Sequence, residues 1–390
     1  MKKLAALVLA GLTLAGGAGV YASGGTAAGP LVSLGYLNRT YVPDAAQQAT
    51  GRVDTRMQAV YQSVLDDLTL RHNGYLAQAG GSAGTAAALP GSAPATAEQR
   101  LKRGDVVSLS TGSAALLLAG NAVVAYAPGG AAVDVTAGQV LASGGELPRL
   151  HRVLAAEQTT AAVTVTSDTA VLSVQGGYTL SPSGSVDYYA LADALQSMGL
   201  FRGTGTAYGS GYDLEEVPTR IVGLVMFLRL IGAESAALAY GGVNPFGDTP
   251  AWCDRYVAYA YAMGYTKGVG NRPDGTLIFQ PDSALSGAEY MTFLLRALGY
   301  QDSGGMAEFS WSTALSFALE RGVINSAEYM MLSGGTFLRG QVVYLSVYAL
   351  SAPRRDGSGT LADHLAAQGG VDEAALYTAL YSVAQERLGG

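Results

Sequence analysis

The sequence predicts an α+β, multidomain chain: an N-terminal helix, a small antiparallel β sandwich or barrel, and a C-terminal helical part of three related units that share one core. Three observations carry this reading. Apolar residues recur at helical spacing before Gly264 and again before Gly299, with a Pro- and Gly-rich loop between them. The same stripe stands 67 positions earlier, where Leu224, Phe227, Leu228 and Ile231 anticipate Met291, Leu294, Leu295 and Leu298, and Arg229 anticipates Arg296. Between residues 101 and 181 the pattern changes to short β-rich runs separated by glycine turns.

The bulk properties narrow the class. A chain of 390 residues has room for two or three domains with buried cores. A net charge of −7 argues against a nucleic-acid partner, which needs Lys and Arg to neutralise phosphates. Only 14% of residues are charged, which fits an exported chain among wall polymers. The one cysteine, Cys253, excludes an intrachain disulfide and reads as a small packed thiol. Lys2 and Lys3, an apolar run over residues 4–14, and Val20-Tyr21-Ala22 before Ser23 describe a signal peptide over 1–22. No later stretch reaches the roughly 18 apolar residues of a bilayer span, so no transmembrane segment is expected in the mature, secreted chain.

Residues 23–78 form an N-terminal helical segment, with Val53, Met57, Val60, Val64 and Leu68 on one face that covers a neighbouring domain or pairs with another chain. Residues 79–100 are a Gly/Ala/Ser/Pro linker. Its Gly80-Gly81-Ser82-Ala83-Gly84 matches a hydrolase nucleophile elbow in letters only, because no strand precedes it and no helix follows. Residues 101–184 form the β domain, with strands expected over 105–110, 114–118, 123–126, 132–136, 153–156, 161–166 and 170–174. His151 reads as a surface or strand-edge residue, since no metal partner stands near it in sequence.

The three units are 185–243, 244–302 and 303–352, followed by a C-terminal helical tail over 353–390. In the central unit Ser286 and Glu289 make a capping box, so the second helix begins there. Thr219 stands in the same place one unit earlier, and Leu338-Arg339-Gly340-Gln341 one unit later, before Val343, Val347 and Leu350. A unit of about 50 residues buries too little apolar surface to fold alone, whereas three stripes turned to one axis make a core.

Asp248, Thr249 and Trp252 at the entry of the central unit, Asp274-Gly275 and Phe279-x-Pro281 in its loop, and a closing helix from Ser286-x-x-Glu289 to Leu298-Gly299 resemble an S-layer homology (SLH) repeat. The resemblance implies a pseudo-threefold helical domain that holds a secreted protein noncovalently at the cell wall or S-layer surface. Its implied partner is a cell-wall polysaccharide, a pyruvylated secondary polymer or a peptidoglycan-linked glycan, and no cofactor or metal is implied. In that family the capping motif is usually Thr-Arg-Ala-Glu, whose Arg meets an acidic sugar in a groove between repeats. Carried over by position, Arg220 and Arg339 keep that Arg, and Gly287 has lost it. Trp252 and Trp311 offer faces for a sugar, and Asp274 and Gly275 lie in the loop that family members use near the ligand. A guanidinium fork at a helix N-terminus suits a carboxylate. Other readings stay open: solvated first-turn arginines with a core Trp252; an envelope scaffold whose repeats bind protein; and a wall-glycan hydrolase, for which no carboxylate pair stands out by spacing. With His72, His151 and His364 scattered, the expectation is a chain that is no enzyme.

Overall fold

The computed structural model describes residues 96–369 and 371–389; the expected signal peptide, N-terminal helix and most of the linker lie outside them. Eleven strands come first: β1 (Thr96–Lys102), β2 (Val106–Leu109), β3 (Ala114–Ala119), β4 (Ala122–Tyr126), β5 (Ala132–Asp134), β6 (Gln139–Leu141), β7 (Gly145–Glu146), β8 (Arg152–Ala155), β9 (Ala161–Val165), β10 (Thr169–Gln175) and β11 (Tyr178–Ser181). They pair as two antiparallel sheets, β1-β10-β3-β8-β5-β6 and β11-β2-β9-β4-β7. Alternation sets which side chains meet between them: Leu117, Val153 and Leu172 from one sheet join Val107, Val124 and Val163 from the other in a single core. His151 sits at the edge of that core, with Nδ1 2.7 Å from Oδ2 of the fully buried Asp134.

Four strands, β1, β6, β7 and β11, stand outside the expected ones. β1 occupies the end of the expected linker and pairs with β10 along its full length. Its sequence looks like a solvated segment because Glu98 and Arg100 turn away from the sandwich core, toward the helical part. β10 lies where a strand is expected and carries apolar residues on both faces. Ala170 and Leu172 enter the sandwich core, while Val171 joins the helical core.

The helical part follows as α1 (Tyr188–Ser197), α2 (Arg220–Leu230), the short α3 (Glu234–Ala239), α4 (Asp254–Ala262), a hairpin of β12 (Gly270–Asn271) and β13 (Leu277–Ile278), then α5 (Gly287–Ala297), α6 (Ala314–Glu320), α7 (Ser326–Ser333), α8 (Arg339–Leu350), α9 (Leu361–Ala367) and α10 (Glu373–Ser382). The capping box of α5 is formed: Ser286 N–H donates to Glu289 Oε2 at 2.8 Å, and Glu289 N–H to Ser286 Oγ at 3.3 Å. α2, α5 and α8 touch one another, and their stripes belong to one hydrophobic core. All 12 residues of α8 are buried, because α1 and the tail cover the sides that its two sister helices leave open.

The tail packs on the third unit and also reaches the first. Glu386 Oε2 accepts from the amide of Asp187, at the start of α1, at 2.7 Å. Arg387 pairs with Glu328, which is fully buried in α7 and also accepts from Tyr344 O–H of α8 at 2.8 Å. A buried carboxylate without its cation is strongly destabilising, with a discount here because Arg387 keeps 30% of its side chain exposed. Arg387→Ala should therefore lower stability by about 2 to 3 kcal/mol in denaturant unfolding. Adding Glu328→Gln should recover part of that loss.

Candidate functional site

A hollow of the helical part lies where the first and second units meet the third. It has a volume of about 410 Å³. Each of its charged walls follows from a local rule. Arg220 is the first residue of α2, placed by the Thr219 cap, and its guanidinium pairs with Glu289, the capping residue of α5. One Glu289 oxygen is held by the Ser286 amide and the other faces Arg220, so the capping box aims the carboxylate. Arg296 lies in the last turn of α5, where a cation is favoured by the helix dipole. Its Nη1 donates to the Tyr265 carbonyl at 2.6 Å, while Nη2 and the Lys267 ammonium each take one oxygen of Asp302.

Burial alone would push the Asp302 carboxyl up; hydrogen bonds from Arg296 and Lys267 overcome it and hold the group below its ordinary value. Three cations against two carboxylates leave one net positive charge in the hollow. Nε of Arg220 and Nε of Arg296 are both buried and carry no hydrogen-bond partner. Trp311, 64% exposed, supplies a flat apolar wall, with Ser310 and Thr292 adding hydroxyls. The loop between α4 and β12 approaches closely through Gly268, at φ +73°, where a Cβ would stand 2.4 Å from the Ile278 carbonyl. Cationic donors, hydroxyls and one aromatic face suit an anionic ligand rich in hydroxyl groups. Among the described residues no three His, Cys, Asp or Glu side chains converge to hold a metal ion.

Of the residues singled out by sequence, this hollow contains Arg220 and Trp311. Arg339 is placed otherwise than a groove residue needs. It is buried, with Nε donating to the Tyr212 carbonyl at 3.0 Å and its guanidinium 5.8 Å from the Phe201 ring centre. Burial pulls its guanidinium below its ordinary value, and no carboxylate pairs with it among the described residues. Trp252 is 62% exposed in the turn before α4 and does not line the hollow. Asp274 and Gly275 form the exposed tip of the β12–β13 hairpin, where Asp274 accepts from the Thr276 amide at 2.9 Å. Lys267, Arg296 and Asp302 line the hollow without belonging to the motif the sequence marks, although Arg296 matches Arg229 by spacing.

No protein-family profile matches the chain. A cell surface protein of Thermoanaerobacter kivui is 28% identical over 207 residues, which is 51% of this chain and 25% of that relative. The chain thus spans about a quarter of the length of the curated relative it matches. Among solved structures, recombinant pro-11S globulin of pumpkin is 12% identical over 26% of this chain and 28% of its own, with a TM-score of 0.15, and carries no argument. No helix among the described residues is long and apolar enough to cross a membrane.

The Asp302 cluster makes one stability prediction. A carboxyl whose folded pKa is depressed contributes stability present above its unfolded value, 3.8, and lost as pH falls through the lower folded value. Acidification below about pH 4 should therefore destabilise the wild type more steeply than Asp302→Asn, measured as midpoint of urea unfolding against pH.

Proposed function

We propose that the helical part is a divergent SLH-type domain that anchors a secreted protein noncovalently to an acidic cell-surface glycan, and that it is not catalytic. The observation that carries this reading is the convergence of Arg220, Lys267, Arg296 and Trp311 on one hollow between units. A sugar carboxylate suits the guanidinium donors, and a ring face suits the indole. The distant likeness to a cell surface protein supports the location, and the three-helix centre supports the family reading.

The anchoring site in this reading is single. At Gly287, where the second unit lacks the Arg, an added Cβ would meet Leu332 at 3.4 Å and Phe337 at 3.5 Å, and both line an uncharged hollow. At the third position Arg339 is enclosed by Phe201 and Tyr212. Trp252, Asp274 and Gly275 have no part in it.

Co-sedimentation of the full chain with purified bacterial walls, before and after stripping of their acidic secondary polymer, tests this. Pelleting should depend on the polymer. Arg220→Ala should weaken it by about tenfold or more, the loss of a charge-assisted contact. Trp311→Ala should weaken it less, and Trp252→Ala should leave it unchanged. Polymer-independent pelleting, or an Arg220→Ala chain that pellets like wild type, would overturn the reading.

A further inference from the structure

The outer face of the six-stranded sheet carries apolar residues at both ends, and the helical part covers only one of them. Val171 of β10 and Leu118 of β3 pack against the helical core. At the other end Ala132, Asp134, Val153 and Ala155 turn inward, so Val133 of β5 and Leu154 of β8 turn outward. Val140 of β6 stands opposite Val133, which stands opposite Leu154, in one row across the register. Exposure grows toward the edge: Val140 is 63% exposed, and Val135, just past the end of β5, 51%.

β6 is the last strand of its sheet. Val135 N–H donates to the Arg152 carbonyl and Ala156 N–H to the Ala131 carbonyl, both at 2.9 Å, so odd-numbered residues of β5 bond to β8 and even-numbered ones to β6. Through the β5–β6 register Gln139 and Leu141 then face β5, and the amide and carbonyl of Val140 point out of the sheet. Nothing guards them, since residues 135–145 hold neither a charged side chain nor a proline, the usual protections of an edge. The other edges differ. β1 is clasped by the helical part through Arg100, β7 is two residues long and ends on Glu146, and β11 runs into Pro182. The turn before β6 is also fixed from inside. The buried Asp134 accepts from the Ala137 amide through its side chain at 3.0 Å and from the Gly138 amide through its carbonyl at 2.8 Å. A strand held this way loses little freedom on docking.

We propose that a second copy of this chain docks here, β6 pairing antiparallel with β6 of the other copy about a twofold axis through Val140. At that axis two identical residues exchange both backbone bonds, with Cα atoms about 5.5 Å apart and side chains on the same outer face. The occupant is a copy because the edge complements itself. A strand of three residues centred on Val140 is equally long on either side of the axis, and an uncharged segment meets itself without repulsion. An unrelated extended peptide would gain the backbone bonds alone. The copy adds its own Val133, Val135 and Val140, so the exposed row becomes a continuous apolar band across the joint. The inference rests on the sandwich and is independent of what the helical hollow binds.

Sedimentation equilibrium of the full chain tests it. The chain should dimerise reversibly in the micromolar range, as a small interface gives. Val140→Lys sets two ammonium groups against each other at the axis and should weaken association by about a hundredfold or more. Val140→Pro removes only the outward amide, which an edge strand tolerates, and should weaken it by about tenfold. Leu180→Lys, on the edge strand β11 of the other sheet, should leave it unchanged. The thermal unfolding midpoint of each variant checks that the sandwich is intact. A chain that stays monomeric at about 100 μM, or a dimer that survives Val140→Lys, would overturn the inference.

Discussion

The structure depends on one constraint: none of the three capped helices can bury its apolar stripe alone, so α2, α5 and α8 must meet. Their contact is close and specific. In the dry centre Tyr290 of α5 and Ser346 of α8 share a 2.7 Å hydrogen bond, which satisfies two polar groups that would otherwise be destabilising there. At Gly223 of α2 an added Cβ would lie 2.2 Å from a Leu285 methyl, so glycine is what lets the chain leading into α5 lie against α2. Because the helices are locked at this spacing, their N-terminal residues have no freedom to drift. Arg220 and Glu289 come from different units, and they form a pair only because the bundle brings those two helix starts together.

The other parts are fastened to this centre. The β sandwich inserts Val171 and Ala119 into the helical core, and Arg100 clasps Asp193 of α1 with Nη2 2.6 Å from Oδ2 while its guanidinium covers the Tyr189 ring at 5.2 Å. Glu98 adds a bond from the Gly209 amide at 2.9 Å. An apolar contact framed by a bidentate ion pair resists hinging, so the sandwich is carried in a set orientation. The tail does the same at the other end, tying the start of α1 to α7 and α8. It thereby joins the first unit to the third and closes the ring.

The helical repeat was legible because its signals are local and redundant: an apolar stripe recurs in all three units, and in the first two a capping hydroxyl and a terminal glycine recur with it 67 positions apart. The sandwich was legible where alternation was clean, as in β9. It was missed where a strand's polar residues face away from the sandwich, as at Glu98 and Arg100 of β1, which stay exposed while bonding to the helical part. Within the site, position in a motif determined register and not exposure. Arg220 and Arg339 begin equivalent helices, yet one lines a hollow and the other is sealed. The Asp302 cluster did have a signal. Arg229 pairs with Glu234 at 2.8 Å just past Gly232, and Arg296 pairs with Asp302 just past Gly299, so a last-turn arginine with an acid after the glycine is itself part of the repeat. What no spacing could show is Lys267, which reaches Asp302 from a loop 35 residues away.

The unequal fate of the three helix starts has a local cause. Each would open a groove if the units were identical, and the first unit differs by the glycine-rich chain between α1 and α2. That chain carries Phe201 and Tyr212 over Arg339, with Asp213 in a left-handed turn at φ +49° and held by Thr206 at 2.7 Å. The Arg339 Nε bond to the Tyr212 carbonyl then works inward, joining the first unit to the third. At the second start glycine removes the cation altogether, and Leu332 and Phe337 occupy its surroundings. The charge that might have served three grooves is thus divided between tasks. One arginine remains beside solvent with donors to offer, one closes the ring, and one is absent.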